Sequence, residues 1–209
     1  MFLIVGCYDW VGYHITNKLL EQGQEVIGID TMDSDKKENL AMFVGRNGLF
    51  SHYDSAQAVI KDKKHKEGFK AIIFIKPEDI SDIEEISYFS QVSLCLRSKN
   101  ENMDECVTFV DIPLLYGEWM PRDNEGIFHG EEYVRFDSDQ FKKEATYIED
   151  FVNAFIKFAE ESESPDYAMF ASDKSEKEDE NITIVRETKS QGERLQELDE
   201  HYEKFHFLY

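Results

Sequence analysis

The stretch FLIVGCYDWVGYHITNKLLEQGQEVIGID, residues 2–30, decides the fold. Its first four residues are an apolar run closed by Gly6, which is typical of a strand buried on both faces. Apolar residues then recur at helical spacing up to Leu20, Gly23 follows as a C-terminal cap, and EVIGID indicates a second strand. A strand, a glycine turn, a helix and a second strand in this order predict one half of a dinucleotide-binding α/β fold.

The glycine turn, residues 6–12, is the predicted phosphate-binding element. Gly6 allows the sharp bend, and Gly12 allows the helix to pack closely on the strand. The backbone of Asp9, Trp10 and Val11 enters the helix, whose N-terminus offers N–H groups and a positive dipole end to an anion. These five residues are therefore the predicted cofactor-binding residues of the turn.

Asp9 stands where the middle glycine of such a turn is expected. Two like charges at ~4 Å repel by ~4 kcal/mol at an effective dielectric constant of 20, which costs about a thousandfold in affinity if nothing compensates. Alternatively, the Asp9 carboxylate caps its own helix and accepts the N–H bonds that a phosphate would take. The sequence leaves both interpretations open.

Asp30 ends the second predicted strand and is the second predicted contact to the cofactor. A carboxylate at this point accepts hydrogen bonds from both ribose hydroxyls of adenosine and repels a 2′-phosphate. NAD is therefore preferred over NADP. The alternative is a solvated residue at the start of an acidic loop.

The remainder of the chain predicts further strands and helices. KAIIFI (70–75) and CVTFVDIPLL (106–115) are predicted strands, and residues 54–66 and TYIEDFVNAFIKFAE (146–160) are predicted helices. Residues 78–99 are ambiguous, because VSLCL could be a buried strand. A parallel crossover to the strand at Cys106 needs a dozen or more residues, so we expect one helix from about Glu78 to Ser98.

The fold class that these elements predict is α/β, with a trimmed Rossmann-type parallel sheet and a small C-terminal α+β lobe. Residues 1–115 form the predicted NAD(P)-binding domain, and residues 116–209 form the lobe. Acidic residues dominate from Glu160 to Glu180 around a short YAMFAS strand, which indicates a solvated surface, with a basic partner protein as the alternative. ERLQELDEHYEKF (193–205) is a final predicted helix.

The composition excludes several classes of partner. A net charge of -21 repels nucleic-acid backbones and anionic membranes, so we expect neither as a partner. The apolar run Met1–Val5 is too short for a signal-peptide core, and no later run reaches ~18 apolar residues. Cys7, Cys95 and Cys106 have no metal-binding spacing and fit reduced thiols in a cytoplasm, and no other pattern predicts a metal site.

The N-terminal stretch resembles the extended short-chain dehydrogenases/reductases, the NAD-dependent epimerase/dehydratase family acting on nucleotide sugars. Two later segments agree: IPLLYGEWMPRD (112–123) looks like the family's strand-end motif with Tyr-Gly-Pro, and TYIEDFVNAFI (146–156) looks like its Tyr-Val-Asp-Asp-Val helix start. The resemblance implies a Rossmann-type fold, NAD and a nucleotide-sugar substrate. It also implies a Tyr-x-x-x-Lys pair on a helix, with a Ser or Thr from the preceding strand.

The sequence departs from the family at the groups that carry the chemistry. None of the 10 tyrosines is followed four residues later by lysine. Tyr88 and Val92 are the predicted positions of the pair, and valine cannot lower the pKa of a phenol, which is near ~10 when unperturbed. The family's substrate-contacting Arg and Asn and its Pro after Tyr-Gly correspond here to Asp111, Leu114 and Glu118.

We therefore expect a degenerate member of this family that binds a nucleotide or nucleotide sugar without the usual catalysis. It would serve as a regulatory or interaction module, with NAD affinity weakened by Asp9. Its partner would be a second copy of the chain, in a homodimer, or another protein. The alternatives are an active NAD-dependent nucleotide-sugar enzyme with atypical catalytic residues, and a structural subunit that binds no nucleotide.

Overall fold

The computed structural model describes residues 1–62, 68–76, 93–97, 107–130, 132–160, 167–175 and 182–209. The first six strands in these residues are β1 (Phe2–Val5), β2 (Val26–Ile29), β3 (Phe50–Tyr53), β4 (Ala71–Phe74), β5 (Ser93–Arg97) and β6 (Thr108–Asp111). The later strands are β7 (Leu114–Tyr116), β8 (Gly126–His129), β9 (Glu132–Arg135), β10 (Ala145–Tyr147), β11 (Tyr167–Ser172) and β12 (Ile182–Val185). The helices are α1 (Trp10–Glu21), α2 (Asp35–Val44), α3 (Ala56–Lys61), α4 (Asp139–Glu144), α5 (Ile148–Glu160) and α6 (Gln191–Phe205).

The core of the molecule is an eight-stranded sheet in the order β12-β11-β6-β5-β4-β1-β2-β3. All of its strand pairs are parallel. The central strands β1, β2 and β4 are buried apolar runs, as parallel strands covered on both faces must be. The predicted Rossmann-type α/β class is confirmed, and the sheet includes two strands, β11 and β12, from residues 116–209.

Serine side chains begin most of the helices. Ser34, Ser55, Ser138 and Ser190 accept a backbone N–H at the starts of α2, α3, α4 and α6, respectively. α5 presents Phe151, Val152 and Phe155 to the same buried cluster as the apolar face of α1. The predicted helices at 146–160 and 193–205 are confirmed as α5 and α6. Lys63–Lys66, the end of the predicted helix at 54–66, lie outside the described residues.

The prediction of one helix from Glu78 to Ser98 is wrong at its C-terminal end, because Ser93–Arg97 is the strand β5. β5 pairs with β4 on one side and β6 on the other, so its backbone hydrogen bonds are made within the sheet. Its apolar residues Leu94, Cys95 and Leu96 are buried. Only residues 98–107 connect β5 to β6, fewer than the crossover length on which the helix was predicted. Residues 78–92 lie outside the described part of the chain.

Residues 114–209 extend the sheet by two strands and form two smaller two-stranded sheets. β11, the predicted YAMFAS strand, pairs with β6, and β12 pairs with β11. β8 and β9 form an antiparallel hairpin, and β7 pairs with β10 beside α5. The division into domains at residue 115 stays a prediction. Within the described residues, no helix is long and apolar enough to cross a membrane.

Candidate functional site

The glycine turn between β1 and α1 has the backbone geometry of a phosphate-binding loop. Gly6 has φ 86°, a conformation that favours glycine, and its N–H donates to the Ile29 carbonyl at 2.8 Å. A Cβ added at Gly12 would lie 2.1 Å from the Gly6 carbonyl oxygen, so only glycine lets α1 approach the strand this closely. Both glycines therefore have the backbone roles that the sequence predicts for them.

Asp9 caps its own helix. Its Oδ1 accepts the Val11 N–H at 3.1 Å, at the position where a phosphate oxygen would otherwise accept. Its Oδ2 lies 3.2 Å from the Lys76 Nζ, and that lysine is half exposed. Self-capping, one of the two interpretations left open by the sequence, is confirmed, and Lys76 supplies a compensating charge that the sequence analysis missed.

Asp30 uses both carboxylate oxygens within the chain. Oδ2 accepts the Tyr8 N–H at 2.8 Å, and Oδ1 accepts the Thr31 N–H at 2.8 Å and the Lys37 ammonium at 2.9 Å. Its side chain is only 8% exposed. The carboxylate predicted to hold the adenosine ribose therefore ties the glycine turn to the start of α2, and the interpretation of Asp30 as a solvated residue is wrong.

The side chain of Tyr8, inside the glycine turn, is buried at 2% exposure. Its ring contacts His52 at 5.1 Å and Phe50 at 6.3 Å between ring centroids. Burial raises the pKa of the Tyr8 phenol well above its ordinary value. Tyr8 is thus part of the core at the end of β2 and β3.

The backbone of the glycine turn suits a dinucleotide, whereas the side chains of Asp9 and Asp30 beside it are already engaged in other contacts. The turn and the α1 N-terminus suit a pyrophosphate, as the φ of Gly6 and the packing at Gly12 indicate. The polar groups that would receive it are already bonded, since Val11 N–H goes to Asp9 and both Asp30 oxygens have donors. A phosphate would compete with Asp9 for the Val11 N–H, whereas Asp30 Oδ2 accepts one hydrogen bond and has the capacity for a second.

An aromatic cluster formed by Trp119 and the C-terminus lies beside the first turn of α1. Trp119 is buried, has φ 65° and stacks on Tyr209 at 5.7 Å. The Lys36 ammonium donates to the Trp119 carbonyl. Trp10, a predicted cofactor-binding residue, is partly buried against this cluster. The C-terminal residues are therefore packed next to the N-terminal end of α1.

Glu118, at the position where the resemblance implies a proline, binds a buried tyrosine. Tyr147 OH donates to Glu118 Oε1 at 2.6 Å, and His14 Nε2 lies 3.0 Å from the Glu118 carbonyl oxygen. Burial, together with the negative charge of Glu118, raises the pKa of Tyr147. The Arg194 guanidinium lies 3.9 Å from the Tyr147 ring centroid. These contacts join the turn after β7 to α1 and α6.

Asp111 and Leu114, at the positions of the family's Arg and Asn, line a cavity at the ends of β6 and β11. Asp111 is 6% exposed, and its Oδ2 accepts the Tyr167 OH at 2.7 Å. Its Oδ1 has no hydrogen-bond partner in the described residues. The structure therefore places a carboxylate where the resemblance implies a guanidinium.

The predicted positions of the catalytic pair, Tyr88 and Val92, lie outside the described residues and precede β5 in the chain. Residues 98–107, between β5 and β6, contain no tyrosine. Among the described residues, no group of three or more His, Cys, Asp or Glu could hold a metal ion.

Lys76 could have been found from the sequence only if β1 and β4 had been predicted to be neighbours in the sheet. Val5 of β1 is the register partner of Phe74 of β4, so the residues that follow these strands meet at one edge of the sheet. Asp9 and Lys76 both lie at that edge, a few residues beyond β1 and β4. The sequence contained no corresponding indication of the partners of Asp30. Lys37 lies in the first turn of α2, and the loop between Asp30 and α2 decides where its side chain points.

Cys7 lies in the same turn and is fully buried. Burial raises the pKa of its thiol far above the ordinary value, and the nearby Asp30 carboxylate adds to the shift. We expect alkylation of folded Cys7 by iodoacetamide at about pH 8 to be more than ~100-fold slower than that of a free thiol, because the thiolate is the nucleophile. Mass spectrometry of the peptide containing Cys7, in buffer and in denaturant, measures this, and similar rates in both would contradict the expectation.

Comparison with known proteins supports the fold. No protein-family model matches the sequence, and no curated protein matches it significantly. The solved dTDP-glucose 4,6-dehydratase of Bacillus anthracis str. Ames in complex with NAD is similar in structure, with a TM-score of 0.65, 10% identity, and coverage of 100% of this chain and 98% of that one. UDP-glucuronic acid 4-epimerase of Bacillus cereus in complex with NAD is also similar in structure, with a TM-score of 0.63 and 10% identity. The match covers 97% of this chain and 98% of that one.

A third solved structure, yeast methylglyoxal/isovaleraldehyde reductase complexed with NADPH, has a TM-score of 0.59 and 13% identity. The match covers 99% of this chain and 99% of that one. At these identities the likeness shows the fold alone.

Proposed function

We propose that this chain, which has the fold of NAD-dependent epimerases and dehydratases, is a degenerate member of that family and acts as a non-catalytic binding module. The observation that carries the proposal is the strand β5, which leaves residues 98–107 as the whole connection to β6. A connection of this length without tyrosine has no place for the Tyr-x-x-x-Lys pair that the resemblance implies.

The described tyrosines near the cleft do not replace the missing pair. A general acid or base works best when its pKa lies near the operating pH. Burial raises the pKa of Tyr8, Tyr116 and Tyr147. Lys76, the lysine at the mouth of the glycine turn, is paired with Asp9. These observations favour binding over redox chemistry.

The module is proposed to bind a nucleotide or nucleotide sugar, with NAD affinity reduced by Asp9. Bound NAD would take the place of the Asp9 carboxylate at the Val11 N–H and would meet the negative charges of Asp9 and Asp30. A second copy of this chain or another protein remains the proposed partner, and a cytoplasmic location stays a prediction.

We expect no turnover when the purified protein is mixed with NAD and either UDP-glucose or dTDP-glucose. The loss of a positioned acid–base group alone costs ~10² to 10⁴-fold in rate. Nicotinamide reduction is followed by absorbance and sugar conversion by chromatography, with Tyr88→Phe and Lys76→Ala as variants. Turnover in the unaltered chain that disappears in Tyr88→Phe would instead establish the active-enzyme alternative.

A further inference from the structure

A short C-terminal segment covers the aromatic cluster beside the first turn of α1. We call residues 206–209, a short 3-10 turn and the residue after it, the C-terminal strap. Leu208 is 7% exposed and packs in one buried cluster with Trp119. The ring of Tyr209 stacks on Trp119, and its OH lies 2.6 Å from His201 Nδ1. Leu208 and Tyr209 therefore anchor the strap.

Lys36, in the first turn of α2, joins the strap to the turn after β7. Its ammonium donates to the Trp119 carbonyl and lies 5.7 Å from the centroid of the Tyr209 ring. An ammonium has three N–H donors, and the Trp119 carbonyl is the only hydrogen-bond acceptor of Lys36 among the described residues. Burial lowers the pKa of Lys36, and the negative charge of Asp9 offsets part of that effect. Lys36 is thus an incompletely satisfied cation that interacts electrostatically with the N-terminal end of α1.

Trp119 has a backbone conformation that is costly for a residue with a side chain. Its φ of 65° lies in the left-handed region, and no other non-glycine residue in the described part of the chain has a positive φ. Such a conformation persists only where its surroundings hold it. Here the Lys36 ammonium holds the Trp119 carbonyl, and the Tyr209 ring holds its indole. Loss of either contact favours another conformation of Trp119, so Lys36 and the strap support each other.

We propose that the C-terminal strap is an autoinhibitory element, which opens when Lys36 leaves the Trp119 carbonyl for the phosphate of a nucleotide at the N-terminus of α1. A phosphate is a stronger acceptor for an ammonium than a neutral carbonyl is, because both partners are charged. It would also add negative charge beside Asp9, whose charge already acts on Lys36. The strap and the nucleotide therefore compete for Lys36.

This inference rests on the proposed function, because it requires a nucleotide at the glycine turn. It adds a regulation to that function, since the apparent affinity is reduced by the fraction of molecules whose strap is open. The two fail separately. Turnover with NAD would overturn the non-catalytic module and leave the strap untouched, equal NAD affinity with the strap closed and open would overturn the strap alone, and no NAD binding in any variant would overturn both.

Leu208→Asn is the variant that opens the strap, because it places an amide in an apolar pocket. Phe207→Asn is the matched control, since Phe207 is the neighbouring residue of the strap and is 70% exposed. Neither substitution changes the net charge. If Leu208→Asn does not fold, as judged by circular dichroism, Tyr209→Ala takes its place with the same expected results, because it removes the ring that stacks on Trp119.

Tryptophan fluorescence measures the opening directly. The sequence has 2 tryptophans, Trp10 and Trp119, and both pack in this cluster. We expect Leu208→Asn to shift the emission to longer wavelength, because the indole of Trp119 becomes exposed, and Phe207→Asn to leave the emission unchanged. An unchanged emission in Leu208→Asn would mean that the strap does not cover Trp119, and the proposal would be wrong.

Calorimetric titration with NAD measures the competition. We expect Leu208→Asn to raise the affinity for NAD by ~10-fold, and Phe207→Asn to change it less than twofold. In a Lys36→Met background the gain from Leu208→Asn is expected to disappear, because the strap and the phosphate no longer have a shared group. Unchanged affinity in Leu208→Asn, or the same gain with and without Lys36, would refute the strap.

Discussion

Replacing Asp9 with glycine is expected to raise the affinity for NAD by ~10- to 100-fold. The change removes a carboxylate from the N-terminus of α1 and frees the Val11 N–H, which Asp9 Oδ1 now occupies. It also removes the ion pair between Lys76 and Asp9 Oδ2, whose atoms lie 3.2 Å apart. The gain stays below the full Coulomb value because Lys76 already offsets part of the negative charge. Isothermal titration calorimetry with NAD measures the change.

Two further variants separate the charge from the space that Asp9 occupies. Asp9→Asn keeps a side chain that can cap the helix and removes only the charge, so we expect a smaller gain than with glycine. Lys76→Ala removes the compensating cation and is expected to weaken NAD binding further. No gain in Asp9→Gly would mean that the remainder of the cleft does not accept a dinucleotide, and the structural-subunit alternative would then be favoured.

Replacing Gly12 with alanine is expected to lower the free energy of unfolding by ~3 kcal/mol or more. The new Cβ would lie 2.1 Å from the Gly6 carbonyl oxygen and 3.0 Å from the Ile75 Cγ1. The first of these atoms belongs to the backbone of the glycine turn, so either the turn or α1 has to move. Urea denaturation followed by circular dichroism measures the loss.

Gly192→Ala is the matched control for this substitution. Gly192 lies in the first turn of α6, where an added Cβ meets nothing within 4 Å. Alanine there is expected to stabilise the protein by ~0.5 kcal/mol, because glycine is the weaker helix former. Equal stability of the Gly12→Ala variant and the unaltered protein would show that α1 does not pack on the turn as described.

The elements with local signals could be predicted from the sequence. Residues 2–30 combine an apolar strand, two glycines and a helix cap within a short stretch, and each signal concerns neighbours in the chain. The positive φ of Gly6 and the close approach at Gly12 follow directly from that pattern. α5 could be predicted for the same reason, since its apolar spacing is local.

β5 and the partners of the acidic residues could not be predicted in this way. A short apolar run such as VSLCL fits a strand or a buried helix equally, and only its two neighbours in the sheet decide. Whether Asp30 faces a ribose or the Tyr8 N–H depends on how the glycine turn and the start of α2 approach each other. Such contacts join residues far apart in the chain.

The sequence by itself determined the glycine turn, the α/β class and the absence of a Tyr-x-x-x-Lys pair, because these depend on residue types at short spacing. Only the tertiary structure decided that Asp9 is bonded to its own helix and to Lys76, that Asp30 accepts hydrogen bonds from Tyr8, Thr31 and Lys37, and that Asp111 is buried. Hydrogen bonding and burial of a charged side chain depend on which groups the fold brings within about 3 Å of it, and spacing along the chain does not set those distances.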